Sequence, residues 1–134
     1  MEDDKKLLFV YGSLLSGLHN HVLLDNPEST LISYHTTNPE FTLVSMGSYP
    51  AVLPEGDTPI RGELYSVSQR VWEQVERLEG YPHYYGAISI PTPHGEARMY
   101  VLFDESPDNR LTVASGDWRD YCKKSFLYES RGYR

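Results

Sequence analysis

The sequence predicts an α+β fold: a small mixed β-barrel or curled sheet with a few helices packed against it. Three observations carry this reading. Short apolar or alternating segments dominate, a single segment has an unbroken helical period, and turn residues separate almost every pair of segments. The 134 residues hold no repeat, low-complexity tract or dividing linker, so one domain over residues 1–134 is expected.

The elements follow in order. Lys5 to Tyr11 reads as a strand, and its "LLFVY" run lacks polar alternation, which predicts burial on both faces. Tyr11-Gly12-Ser13 then ends it abruptly. Leu31–Tyr34 and Phe41–Val44 read as strands around the turn-rich "TTNPE". "SYPAVLPEGD" reads as loop, with a short strand at Ala51–Leu53. "PIRGELYSV" alternates, and "AISI" and "RMYVLF" flank the turn "PTPHGE" as a hairpin. Ser68 caps the helix "QRVWEQVERLE", which Gly80 and Pro82 close. "SGDWRDYCKK" predicts a second short helix capped by Asp117.

Composition narrows the function. The formal charge is −7 and there is no long basic patch, so nucleic-acid binding lacks support. A lone cysteine, Cys122, permits no internal disulfide and suits an intracellular protein. "MEDDKK" does not open a secretory signal, and "LLFV" is too short to span a bilayer, so a cytoplasmic, membrane-free protein is expected. The eleven tyrosines suit a half-wet pocket, and equally the surfaces of sheets.

The helix places one acid on the wrong face. At about 100° per residue, Val71, Val75, Leu78 and Trp72 form the buried stripe, and Glu79 falls about 80° from Val71, inside that arc. Glu73 and Arg77 fall on the solvated side. Two readings of Glu79 are open. The fraying last turn can direct it to water; or partial burial beside the negative helix end can raise its pKa into the range of a general base. "YPHYY" brings Tyr81, Tyr84 and Tyr85 close to it.

Other chemistries lack their residues. No P-loop and no G-x-G-x-x-G appears, so no nucleotide cofactor is expected. His19 and His21 in "HNH" have no completing ligand set, so no metal is expected. Ser13 lacks the context of a serine nucleophile, and Cys122 reads as a packed helix residue. Glu63 reads as a surface or cross-strand partner, and Trp118 and Tyr121 as a wall or as packing.

In order, "FVYGSL", "GLHNH", "GSYPAV", "IRGELYSV", "VERLEGYPHYY", "ARMYV" and "SGDWRDY" resemble the gamma-glutamyl cyclotransferase-like family over about residues 6–121. The resemblance implies a mixed barrel or curled sheet and an intramolecular aminolysis. The α-amine of a γ-glutamyl group attacks its own γ-carbonyl, 5-oxoproline forms, an amine or amino acid leaves, and no metal or cofactor takes part. Glu79 matches the family's catalytic acid, and Tyr11, Gly12, Ser13 and Leu14 match the loop that grips the glutamyl group. Gly12 permits close approach there, and successive N–H groups suit an anion. Tyr49 and Pro50 are expected either to border the pocket or to form a plain turn, and the Tyr85 hydroxyl is a candidate to lie near the reacting carbonyl. The chain departs from the family's pattern at Leu15 and Ala87, where arginine is frequent. A non-catalytic ligand-binding module on the same fold is the alternative.

Overall fold

The computed structural model describes residues 5–103 and 111–124. The residues 1–4 that open the chain lie outside it. The described elements are β1 (Lys6–Val10), a 3-10 turn (His21–Leu24), β2 (Ser29–Thr36), β3 (Phe41–Ser45), β4 (Pro50–Thr58), β5 (Arg61–Val67), α1 (Gln69–Glu79), β6 (Gly86–Thr92), β7 (Gly95–Val101) and β8 (Leu111–Thr112). A second helix, α2, covers 118–124. The strands form a five-stranded sheet of order β2-β5-β1-β7-β6 and a three-stranded sheet of order β4-β3-β8. Only β1 and β7 run parallel among these pairs, so the larger sheet is mixed, as expected.

β1 is central, and its residues alternate between two cores. Leu8 and Val10 join the cluster under α1, with Val67, Val71, Val75 and Tyr100. Phe9 joins the opposite cluster, with Leu64, Met99, Val101 and Trp118 of α2. Burial on both faces explains the run without polar alternation. The two sheets are stitched together where Leu102 N–H donates to Val52 O (2.8 Å).

α1 forms where its punctuation places it. Ser68 Oγ accepts from Val71 N–H (3.2 Å) at the start. At the end, Gly80 takes the left-handed conformation (φ 67°). Gly80 N–H reaches Arg77 O (3.2 Å) and Tyr81 N–H reaches Glu76 O (3.0 Å), which is the paired closure of a Schellman turn.

Several boundaries differ from those the sequence suggests. β4 runs from Pro50 to Thr58 rather than over Ala51–Leu53 alone. Its partners jump from Thr42↔Leu53 to Phe41↔Thr58, so 54–57 form a bulge that local propensity does not announce. β2 is longer than Leu31–Tyr34 because it follows β5 along its whole edge. The β6–β7 turn is shorter than "PTPHGE", since Thr92 pairs with Gly95. In β5, Glu63, Leu64 and Tyr65 are all buried, because this strand too is covered on both faces. Leu78 is 41% exposed, not buried, because the last turn of α1 runs past the core.

Burial sets the expected response to truncation. Leu64→Ala, at a fully enclosed position, should cost about 2–5 kcal/mol in denaturant unfolding. Leu31→Ala, on the exposed edge strand β2, should stay within about 0.5 kcal/mol.

Candidate active site

The end of β1, the start of β4, the end of α1 and the approach to β6 meet around one cavity of about 440 Å³. Tyr11, Gly12, Ser13 and Leu14 line it, together with Tyr49, Pro50, Glu79 and Tyr85. The proposed catalytic acid and the proposed substrate-gripping residues thus come to one place, although the loop and the acid are far apart in the chain. His19, Asn20, Leu78, Tyr84 and Tyr100 also line the cavity, and no local pattern in the chain singles out Tyr100.

Tight packing brings the loop and β4 together. A Cβ on Gly12 would lie 2.8 Å from Cγ of Pro50, so only glycine permits this approach. Past Gly12 the chain folds back on itself. The Gly12 carbonyl accepts from Leu15 N–H (2.9 Å) and the Ser13 carbonyl from Asn20 N–H (3.0 Å). The Leu14 carbonyl accepts from His21 Nδ1 (2.9 Å), and Asn20 Nδ2 donates to Ser13 Oγ (2.8 Å). The three carbonyls are thus engaged, while among the described residues no acceptor meets the N–H of Gly12, Ser13 or Leu14. What the loop retains for a ligand is donors, which suits an anion or a carbonyl oxygen.

Glu79 is the acid of the cavity. It is partly buried, and burial pushes its pKa from 4.5 up to about 7. Among the described residues its carboxylate has no hydrogen bond and no ion pair. Its charge is felt by Tyr11, Tyr85 and Tyr100, whose hydroxyls are raised chiefly by their own burial, Tyr100 to about 12. These three therefore stay neutral. Tyr11 donates to Tyr100 O (2.7 Å) and Tyr85 to Pro50 O (2.7 Å), so both rings are fixed as walls, and the Tyr85 proton is committed to the backbone. At the rim, the hydroxyls of Tyr49 and Tyr84 lie 3.0 Å apart.

Other candidates resolve differently. Leu15, one of the two departures from the family pattern, is 2% exposed and packs in the core, outside the cavity lining. Ala87 packs against the same core and faces Tyr100 across the β6–β7 pair. Arg98 lies diagonal to it, two residues before Tyr100 on β7. Its guanidinium sits over the rings of Trp72 (4.3 Å) and Tyr81 (4.6 Å) and pairs with Glu76 (2.8 Å). Burial pushes the Cys122 thiol up, away from reactivity. Among the described residues no three His, Cys, Asp or Glu side chains gather as metal ligands.

Glu63 overturns its surface assignment: it is fully enclosed. It accepts from Ser16 N–H (3.0 Å), Ser16 Oγ (2.7 Å), Tyr65 OH (3.0 Å) and Arg119 Nη2 (2.7 Å). Burial alone would raise its pKa, and these donors together hold it below the ordinary carboxylate value. Two of its three partners, Ser16 and Arg119, lie 47 and 56 residues away, so only the assembled fold reveals the full set.

The raised pKa of Glu79 has a consequence for stability. The folded state binds this proton more tightly than the unfolded chain does. The associated stability is complete below about pH 4.5 and lost as pH rises through about 7. At about 1.4 kcal/mol per unit, discounted for partial exposure, the loss is on the order of 2 kcal/mol. Glu79→Gln escapes it. In denaturant unfolding the variant should match the wild type near pH 4 and exceed it by that amount near pH 8.5. Equal stability at both pH values would contradict the assignment.

Comparison with known proteins identifies the family. Residues 8–120 match the family described as gamma-glutamyl cyclotransferase, AIG2-like. A relative from Vibrio cholerae is 37% identical over 112 residues, covering 84% of this chain and 94% of that protein. The gamma-L-glutamyl-butirosin B gamma-glutamyl cyclotransferase of Niallia circulans is 34% identical over 121 residues, covering 85% of this chain and 76% of that one. The solution structure of the Escherichia coli protein ytfP superposes with a TM-score of 0.67 at 29% identity, covering 86% of this chain and 97% of that one. This chain belongs to the gamma-glutamyl cyclotransferase, AIG2-like family.

Proposed function

We propose that the protein converts a γ-glutamyl amine or γ-glutamyl amino acid to 5-oxoproline and the free amine, with Glu79 as general acid and base. The observation that carries this reading is the pairing of a loop that leaves its backbone N–H donors to a ligand with a carboxylate of pKa about 7 in one cavity. Membership of the family supports the reaction class.

The reaction needs a folded substrate and a proton carrier. The α-nitrogen must lie against the γ-carbonyl carbon, which is a matter of positioning. Donors from Gly12, Ser13 and Leu14 are available for the α-carboxylate and the carbonyl oxygen. The walls of Tyr11, Tyr85 and Tyr100 keep the glutamyl chain compact and exclude water. Glu79, ionised, takes a proton from the α-ammonium, and the freed amine attacks the γ-carbonyl. A tetrahedral centre forms. The protonated Glu79 delivers its proton to the departing nitrogen, and the C–N bond breaks. A second proton follows the same way from the new ring nitrogen. Two protons leave one nitrogen and two reach the other, Glu79 ends as it began, and no water is consumed.

A pKa near 7 suits this exchange, because the group must both accept and release at neutral pH. The buried end of the cavity holds the acid and the loop, so the leaving amine points to the rim formed by Leu78, Tyr49 and Tyr84. The Niallia circulans relative, named for a γ-glutamyl-butirosin substrate, supports a site whose outer part admits varied amines.

The direct test incubates the purified protein with a panel of γ-glutamyl compounds and measures 5-oxoproline. kcat/KM should rise with pH through a midpoint near 7, as Glu79 ionises. Glu79→Gln should lower turnover by about 10²–10⁴ and abolish that limb. Normal turnover by the folded variant would defeat the mechanism. Tyr49→Ala should raise KM with little change in kcat, since a rim contact binds ground state and transition state alike.

A further inference from the structure

We infer that Glu63 is a positioning residue for the reaction: it holds the 11–16 loop in its binding shape through Ser16. The inference rests on the proposed function for its catalytic consequence, and on geometry alone for its structural one.

Three of the loop's polar atoms converge on this lock. Ser16 N–H and Ser16 Oγ donate to the two oxygens of Glu63 (3.0 and 2.7 Å). Arg119 Nη2 donates to Ser16 O (2.6 Å), to Ser16 Oγ (2.9 Å) and to Glu63 Oε2 (2.7 Å). Every polar group of Ser16 is thereby fixed by one ion pair, whose members come from β5 and α2. At the other end of the loop, Tyr11 is fixed by its bond to Tyr100 O. The segment between them, Gly12 to Leu15, contains the three unengaged N–H groups. It is clamped at both ends.

Stability alone is a poor account of this arrangement. Withdrawing the Glu63 carboxylate from water is costly, and a well-packed apolar substitute is often as stable. What an apolar residue cannot do is set the direction of a neighbouring backbone. A loop that is already ordered does not spend binding free energy on ordering when the ligand arrives. Glu63 touches neither the cavity nor the reacting atoms: it is absent from the cavity lining. Its effect on a substrate passes through Ser16.

The test compares the full-length wild type with Glu63→Gln by amide hydrogen exchange, by 5-oxoproline binding and by kinetics. The informative amides are Leu15 and Asn20, whose acceptors are the Gly12 and Ser13 carbonyls and not Glu63 itself. In the variant they should exchange at least tenfold faster, while amides within α1 keep their rates. 5-Oxoproline should bind at least tenfold more weakly. KM should rise more than kcat falls, and the pH midpoint near 7 set by Glu79 should not move. Unchanged Leu15 and Asn20 exchange in a folded variant would overturn the inference, even with a lowered melting temperature. Where Glu63→Gln does not fold, Ser16→Ala and Arg119→Lys carry the same readouts and the same overturning result. Should the wild type release no 5-oxoproline from any γ-glutamyl compound, the functional reading falls, and the exchange data alone decide the role of Glu63.

Discussion

The site depends on a carboxylate withdrawn from water with, among the described residues, no cation to compensate it. Glu79 stays in that position because the chain around it leaves no alternative. The Schellman turn at Gly80 ends α1 one residue later. Tyr84 N–H then bonds back to Gly80 O (2.8 Å), which brings Tyr84 and Tyr85 against the cavity. Tyr85 is pinned to Pro50 O, and Pro50 meets Gly12. Each contact fixes the next, so the acid, the aromatic walls and the loop behave as one assembly.

A second carboxylate is buried in the opposite manner. Glu63 is closed off from solvent, yet four donors hold it in its charged form. Burial therefore does not decide whether an acid works as a proton carrier. The balance of desolvation against donated hydrogen bonds decides it. Compensation makes Glu63 a fixed charge suited to holding a backbone. Its absence makes Glu79 a group whose proton comes and goes near neutrality.

How much of this was legible in the sequence differs element by element. The helix was, because capping, period and closure all agree over eleven residues, and its arithmetic placed Glu79 inside the apolar arc. β1 was legible for a similar reason, since burial on both faces removes alternation. The loop at Tyr11–Leu14 could be proposed from its glycine and from the family pattern. That it shares a cavity with Glu79 could not be read, because that depends on how two distant chain ends are brought together. Leu78 was misplaced because helical period says which side faces inward, but not where the core stops. The bulge of β4 and the enclosure of Glu63 were hidden for another reason. The bulge is set by how β4 pairs with β3, and the enclosure of Glu63 by Ser16 of the loop and Arg119 of α2, which local propensity does not announce.

The location of the cavity follows from the topology. β1 lies between β5 and β7, and both its faces are largely taken by cores, so its side chains leave little exposed face on which to build a site. Chemistry can be placed only where the strand ends and backbone groups are released from the ladder. The chain uses that end: Gly12 lets Pro50 approach, and the loop consumes its own carbonyls and keeps its N–H groups. α1 must then finish at the same level for its last residue to face those donors. Lengthening or shortening α1 by one residue would turn its terminal side chain by about 100°. The site thus requires a helix of the present length as much as a carboxylate, and "LEGY" encodes both: the acid, and the glycine that stops the helix where the acid faces the cavity.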